Sequence, residues 1–173
     1  MRLFVAINFP DGVKDRLESA VEGLRRQGVK ASWSRRENLH LTLEFLGELD
    51  SAAPVIAAME QVRARRFSLR FAGSGRFRRA GGDIFWLGVA RSEPLMHLQA
   101  ELHEALRRAG MRLEERPYRP HLTLARRLRD RGETVLPNPI PGEVPVTGIS
   151  LMRSQRAAGR LRYTELYWKE LED

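Results

Sequence analysis

Two histidines of this chain sit in the same tetrapeptide, His40-Leu41-Thr42-Leu43 and His121-Leu122-Thr123-Leu124. A free imidazole titrates at about pH 6.5, so two of them in one site can divide the work, one taking a proton while the other gives one. In an extended strand, successive side chains point to opposite faces. His40 and Thr42 therefore share one face, with Leu41 and Leu43 on the other, and the second copy repeats the arrangement. Each copy offers an imidazole and a hydroxyl to a cleft while its leucines enter a core. A hydroxyl donor beside each imidazole suits the non-bridging oxygens of a phosphoester as charge develops on them. Together the four groups fit metal-free phosphoester cleavage.

A single His-x-Thr on a strand is more often structural, with threonine chosen for its β-propensity and histidine satisfied by a carbonyl. Duplication reverses that preference here. The remaining histidines, His97 and His103, lie opposite and beside the leucine stripe of a helix and read as surface residues. A zinc site needs three or four converging ligands, and the chain has neither a clustered histidine motif nor any cysteine. Glu44 falls on the face of His40 and Thr42 in a regular strand, where it could orient an imidazole, and reads rather as an exposed glutamate at the cleft rim.

Elements must place these two motifs together. A first strand, Met1 to Phe9, precedes a helix capped by Asp11 that carries Val13, Leu17, Val21 and Leu24 at helical spacing and ends at Gly28. The strand Asn38 to Leu46 turns at Gly47 into a helix from about Ser51 to Val62. Phe67, Leu69 and Phe71 alternate on a further strand. A basic, glycine-bearing stretch, Gly73 to Gly82, leads to the apolar strand Ile84 to Val89. The pattern then restarts: Leu95, Leu98, Leu102, Leu106 and Ala109 form one helix stripe, and the second His-Leu-Thr-Leu follows. Val144 to Met152 and Leu161 to Leu171 read as two final strands joined by a basic loop, Arg153 to Arg160. Pro137, Pro139, Pro141 and Pro145 mark a long connection rather than a domain linker. Strand, helix and His-strand occurring twice predict an α+β fold of two related lobes in a single domain, 1–173.

The formal charge is +8, and of the 30 basic residues all but Lys14, Lys30 and Lys169 are arginine. Arginine makes bidentate phosphate contacts, so a polyanionic partner is compatible with this balance. The absence of cysteine rules out disulfides and thiolate chemistry and agrees with a reducing compartment. The apolar run at the N-terminus is too short for a membrane span. A cytoplasmic monomer is the expectation.

The blocks Met1-Arg2-Leu3-Phe4-Val5-Ala6-Ile7, Asn38-Leu39-His40-Leu41-Thr42-Leu43-Glu44-Phe45-Leu46-Gly47 and Tyr118-Arg119-Pro120-His121-Leu122-Thr123-Leu124-Ala125-Arg126 resemble those of the two-histidine (2H) phosphoesterases. Within these, they resemble the bacterial and archaeal RNA 2',3'-cyclic phosphodiesterases, also called 2'-5' RNA ligases. The resemblance spans nearly the whole chain. It implies a bilobal fold in which two antiparallel sheets face a central cleft with helices outside. It also implies hydrolysis of RNA 2',3'-cyclic phosphate ends to 2'-phosphomonoesters with no metal or organic cofactor. By that likeness His40 is the proton donor to the departing 3' oxygen and His121 the proton acceptor that activates water. Thr42, Thr123 and Arg126 bind the phosphate. Arg126 and His121 fall on opposite faces of a regular strand, so this role requires the strand to end or bulge near Ala125. Three alternatives share these residues: 2'-5' ligation with a 5'-hydroxyl in place of water, cleavage of a small cyclic nucleotide, and a non-catalytic RNA- or nucleotide-binding module.

Overall fold

Runs rich in branched and aromatic residues alternate with helices whose apolar positions recur every three to four residues; both kinds contribute to one main core, and Phe4, Ala6 and Met152 form a small second cluster. The computed structural model describes residues 1–130, 134–136 and 140–173. Strand β1 (Arg2–Asn8) leads to helix α1 (Asp11–Arg26), which buries Val13, Leu17, Val21 and Leu24 as the spacing predicts. The cap differs from the expectation: Pro10 occupies the N-cap and Asp11 is the first helical residue, with no side-chain cap bond. Proline's fixed φ favours this entry, and Asp11 complements the positive end of the helix instead.

A two-residue strand β2 (Ser32–Trp33) and a single 3-10 turn (Arg36–Asn38) precede β3 (His40–Glu48) and helix α2 (Ala53–Glu60). Next come β4 (Phe67–Leu69), β5 (Phe71–Phe77) and β6 (Asp83–Val89). Helix α3 (Glu93–Arg108) starts at Ser92, whose Oγ accepts from the Leu95 amide at 3.3 Å. The chain closes with β7 (His121–Leu128), β8 (Val144–Val146), β9 (Gly148–Ala157) and β10 (Arg160–Glu170).

Two antiparallel four-stranded sheets result, ordered β10-β9-β1-β3 and β2-β7-β6-β5, with β4 and β8 paired separately. That small third sheet explains two departures from the expected strands. The run through Phe67 and Phe71 breaks at Arg70, and the run from Val144 breaks at Thr147, because each chain leaves β4 or β8 to enter a large sheet. The stretch read as the basic loop Arg153 to Arg160 is mostly strand. Its turn is Ala158-Gly159, both at positive φ, the left-handed geometry of a tight hairpin. Pro137 and Pro139 lie outside the described residues. Leu17, Leu24, Ile7, Leu41, Phe85, Leu122, Leu98 and Leu102 all belong to the same buried cluster, so both sheets and helices α1 and α3 share one core.

Candidate active site

The leucines of both motifs are fully buried while each histidine and threonine keeps partial access, as the period-2 reading requires. Both strands then break the alternation at the same place. In the first sheet Val5 pairs with Glu44 and Ala6 with Thr42, leaving Leu43 unmatched; in the second Phe85 pairs with Ala125 and Trp86 with Thr123, leaving Leu124 unmatched. A bulge of one residue inverts the facing of everything beyond it. In β7 the inversion buries Ala125 and returns Arg126 to the face of His121 and Thr123. The condition on which the Arg126 expectation depended is therefore met.

In β3 the same bulge has a consequence that the regular strand concealed. Glu44 is turned away from His40 and Thr42 and is only 8% exposed. It accepts hydrogen bonds from Gln99 Nε2 and His103 Nδ1, each at 3.0 Å. Burial raises the Glu44 pKa, and the His103 contact opposes that rise. Glu44 is thus an anchor to α3, not a rim residue, and His103 is its partner rather than an ordinary surface side chain. His97 points its Nε2 to the Arg63 carbonyl at 3.3 Å in an exposed position.

Both imidazoles are oriented by the same device. Nδ1 of His40 meets the Asn38 carbonyl at 2.7 Å, and Nδ1 of His121 meets the Arg119 carbonyl at 2.6 Å. A carbonyl only accepts, so Nδ1 carries the proton in each ring and Nε2 is the atom free to exchange one. His40 Nε2 lies 2.9 Å from Thr42 Oγ1, which donates to it in the neutral ring.

The segments leading into the motifs brace each other. The Tyr118 hydroxyl, three residues before His121, donates to the Thr42 carbonyl at 2.8 Å. The Ser34 hydroxyl, six residues before His40, donates to the Thr123 carbonyl at 2.9 Å. Each half thereby holds the threonine backbone of the other. Burial raises the pKa of Tyr118, keeping its hydroxyl protonated and able to donate.

The surroundings of the two histidines differ. Phe4 and Tyr163 enclose His40, with ring centroids at 4.9 and 5.1 Å. Burial lowers its pKa to about 4, and the charges of Arg126 and Lys14 act in the same direction. Arg126 also acts against the burial-driven rise at Tyr163, so this guanidinium from the second sheet exerts its charge on the first. His121 meets Phe77 edge-on at 5.0 Å and Trp86 at 6.2 Å. Trp86 lies over Gly75, where a Cβ would overlap the indole.

Of the two basic segments, that around β5 divides by the contacts its arginines make. Arg76 is fixed by Asp83 at 3.3 Å and Asp130 at 2.6 Å, whereas Arg79 extends over the Phe77 ring at 5.9 Å. Among the described residues no three His, Asp or Glu side chains converge in a way that could hold a metal ion.

The sequence model of the 2'-5' RNA ligase superfamily matches residues 13–158. The chain belongs to that superfamily. An RNA 2',3'-cyclic phosphodiesterase of Thermotoga maritima is 38% identical over 131 residues, covering 73% of this chain and 70% of the relative. One of Escherichia coli is 34% identical over 174 residues, covering 95% and 93%. Crystal structures agree with the 2H phosphoesterase fold. LigT of E. coli complexed with 3'-AMP superposes with a TM-score of 0.80 at 28% identity, covering 99% of this chain and 98% of LigT. TT0787 of Thermus thermophilus gives 0.81 at 28% identity with the same coverage. Among the described residues of this superfamily member, no helix is long and apolar enough to cross a membrane.

Proposed function

We propose that the protein opens 2',3'-cyclic phosphates at RNA ends to 2'-phosphomonoesters by metal-independent acid-base catalysis. The observation that carries this reading is the pair of bulged His-x-Thr strands, each with Nδ1 tied to the carbonyl two residues back and Nε2 left for chemistry. The relatives named for this reaction support it. His121 Nε2 takes a proton from water as the water oxygen attacks phosphorus. The bond from phosphorus to the 3' oxygen breaks, and His40 gives its Nε2 proton to that oxygen. Thr42 and Thr123 donate to the non-bridging oxygens, and Arg126 balances their charge. After release of product, the proton on His121 is lost to solvent and His40 is reloaded.

In the free protein His40 is neutral at pH 7, because its pKa lies at about 4. The cyclic phosphate supplies the missing counter-charge. An anion beside the ring favours the imidazolium and offsets Arg126, so His40 becomes a proton donor as substrate binds. Each chain carries both motifs, which supports a monomer acting as one catalytic domain, and an RNA substrate supports a cytoplasmic setting.

The test is an end-labelled RNA bearing a 2',3'-cyclic phosphate, incubated with the protein in excess chelator. Conversion to a 2'-phosphate is expected. A cyclic end left intact by folded protein would overturn the reaction, and rescue only by added metal would overturn its metal independence.

A further inference from the structure

Beside His40 on the first sheet, Asn8 also lines a cavity of about 390 Å³ whose lining holds no histidine. Its lining includes Asn8, Pro10, Gly148, Ser150, Glu165 and Trp168. That volume lies within the range of small-molecule sites. Asn8 is the direct cross-strand partner of His40, and β9 lies on the other side of β1. Neighbouring strands are about 4.8 Å apart, so the cavity floor lies about two strand spacings, close to 10 Å, from the histidine strand. On the proposed chemistry, a ribose with its cyclic phosphate at His40 spans the first of those spacings, which leaves the second for its base.

The cavity is built to take a flat polar group. Trp168 covers Gly148, where a Cβ would overlap the indole, so one ring face is seated on the backbone. The residue remains 45% exposed, although it is a large aromatic. Beside it a polar chain runs in one direction: Asn8 Nδ2 donates to Ser150 Oγ at 3.1 Å, and Ser150 Oγ donates to Glu165 Oε2 at 2.6 Å. Asn8 Nδ2 also reaches Glu165 Oε2 at 3.4 Å and Met152 Sδ at 3.5 Å. Oε2 is thereby held in place, while Oε1 of Glu165 has no hydrogen-bond partner among the described residues. Ser150 is 2% exposed, so this chain is fixed from beneath rather than by solvent.

A carboxylate at this position repels phosphate and only accepts hydrogen bonds. It is therefore unsuited to the RNA backbone and suited to a base edge rich in donors. Guanine presents two adjacent donors, N1–H and the N2 amino group. Adenine and cytosine set one amino group beside a ring acceptor, and uracil sets one N–H between two carbonyls. From this geometry we infer that the cavity beside His40 is the site for the base of the terminal nucleotide, with Trp168 stacking on it and Glu165 selecting guanine. The inference rests on the proposed cyclic phosphate chemistry for the placement of the ribose.

The test compares kcat/KM for the four nucleoside 2',3'-cyclic monophosphates. Guanosine is expected to lead by roughly ten- to a hundredfold, as a hydrogen bond to a charged group allows. Glu165→Gln, which keeps a partner for Ser150, should bring the guanosine-to-adenosine ratio of kcat/KM down towards one. Trp168→Ala should raise KM for all four by roughly five- to a hundredfold, with a smaller change in kcat. Equal rates on all four bases, or a guanosine lead that survives Glu165→Gln, would overturn the assignment. Binding separates this from the reaction itself. Tryptophan fluorescence is titrated with guanosine 2'-monophosphate and adenosine 2'-monophosphate, with Trp168→Phe as the baseline. Tighter guanosine quenching in a protein that hydrolyses none of the four would refute the hydrolytic reading and uphold the base site. Equal quenching, or none from Trp168, would refute the base site whatever the turnover.

Discussion

The two His-x-Thr strands share a backbone device and differ in almost everything placed around it. Both carry the bulge at the second leucine and the carbonyl hold on Nδ1. Yet the position opposite the threonine is Ala6 in one sheet and Trp86 in the other, and that opposite the histidine is Asn8 in one and Gly88 in the other. Beyond the bulge the first strand turns Phe45 outward and the second Arg126. The matched backbone gives both imidazoles the same hold, and the residues across and beyond the strands give them different environments. His40 is enclosed by aromatic rings, and the charge of Arg126 acts on it from the opposite sheet.

The largest expected effect tests what the halves share. His40→Ala and His121→Ala should each reduce kcat by about 100- to 10,000-fold, and the double variant should lose little more than either single one. Steady-state kinetics on protein with an unchanged melting profile decides it; near-normal turnover by either variant would dissolve the pairing. The next effect tests where the halves differ. Arg126→Gln should lower kcat/KM by about 100-fold, in the range for removing a donor from developing charge, while the equivalently placed Phe45→Ala should fall within a few-fold. Equal losses would mean that the two bulges serve the same purpose.

Titration sharpens the contrast further. By NMR the His40 ring should titrate at about pH 4 in the free protein and at higher pH when inorganic phosphate is bound. Its folded pKa lies below the unfolded value of about 6.5, so the unfolded chain binds more protons between the two. The corresponding stability is fully present above pH 6.5 and lost as pH falls towards 4, at most about 3 kcal/mol. His40→Asn should flatten that part of the melting curve against pH, and an unchanged slope would remove burial as the cause. The smallest effects concern the bracing. Tyr118→Phe and Ser34→Ala should each cost about 1 kcal/mol in denaturant unfolding, and a loss in only one would show that the brace is one-sided.

Periodicity made the motif faces, the helix stripes and the two-lobed repeat legible, because burial acts on every second or every third to fourth residue. It also required a bulge for Arg126 to act, and the bulge is there. The same rule misplaced Glu44, whose facing is inverted by the twin bulge at Leu43, and with it His103, whose partner could not be identified until Glu44 turned inward. No local composition marks either bulge; the requirement at Arg126, carried to the matching position in the first copy, was the one available signal. Sheet membership was similarly hidden. β2 precedes the first motif in sequence yet pairs beside the second, a choice made by tertiary pairing rather than by two residues' propensity.

The order of the first sheet, β10-β9-β1-β3, joins the two ends of the chain around His40. During synthesis the imidazole emerges early and the strand bearing Tyr163 emerges late. A chain that has extruded only β1 and β3 therefore has Phe4 but not Tyr163 to set against His40. The enclosure that lowers the His40 pKa is completed only once β10 has been made.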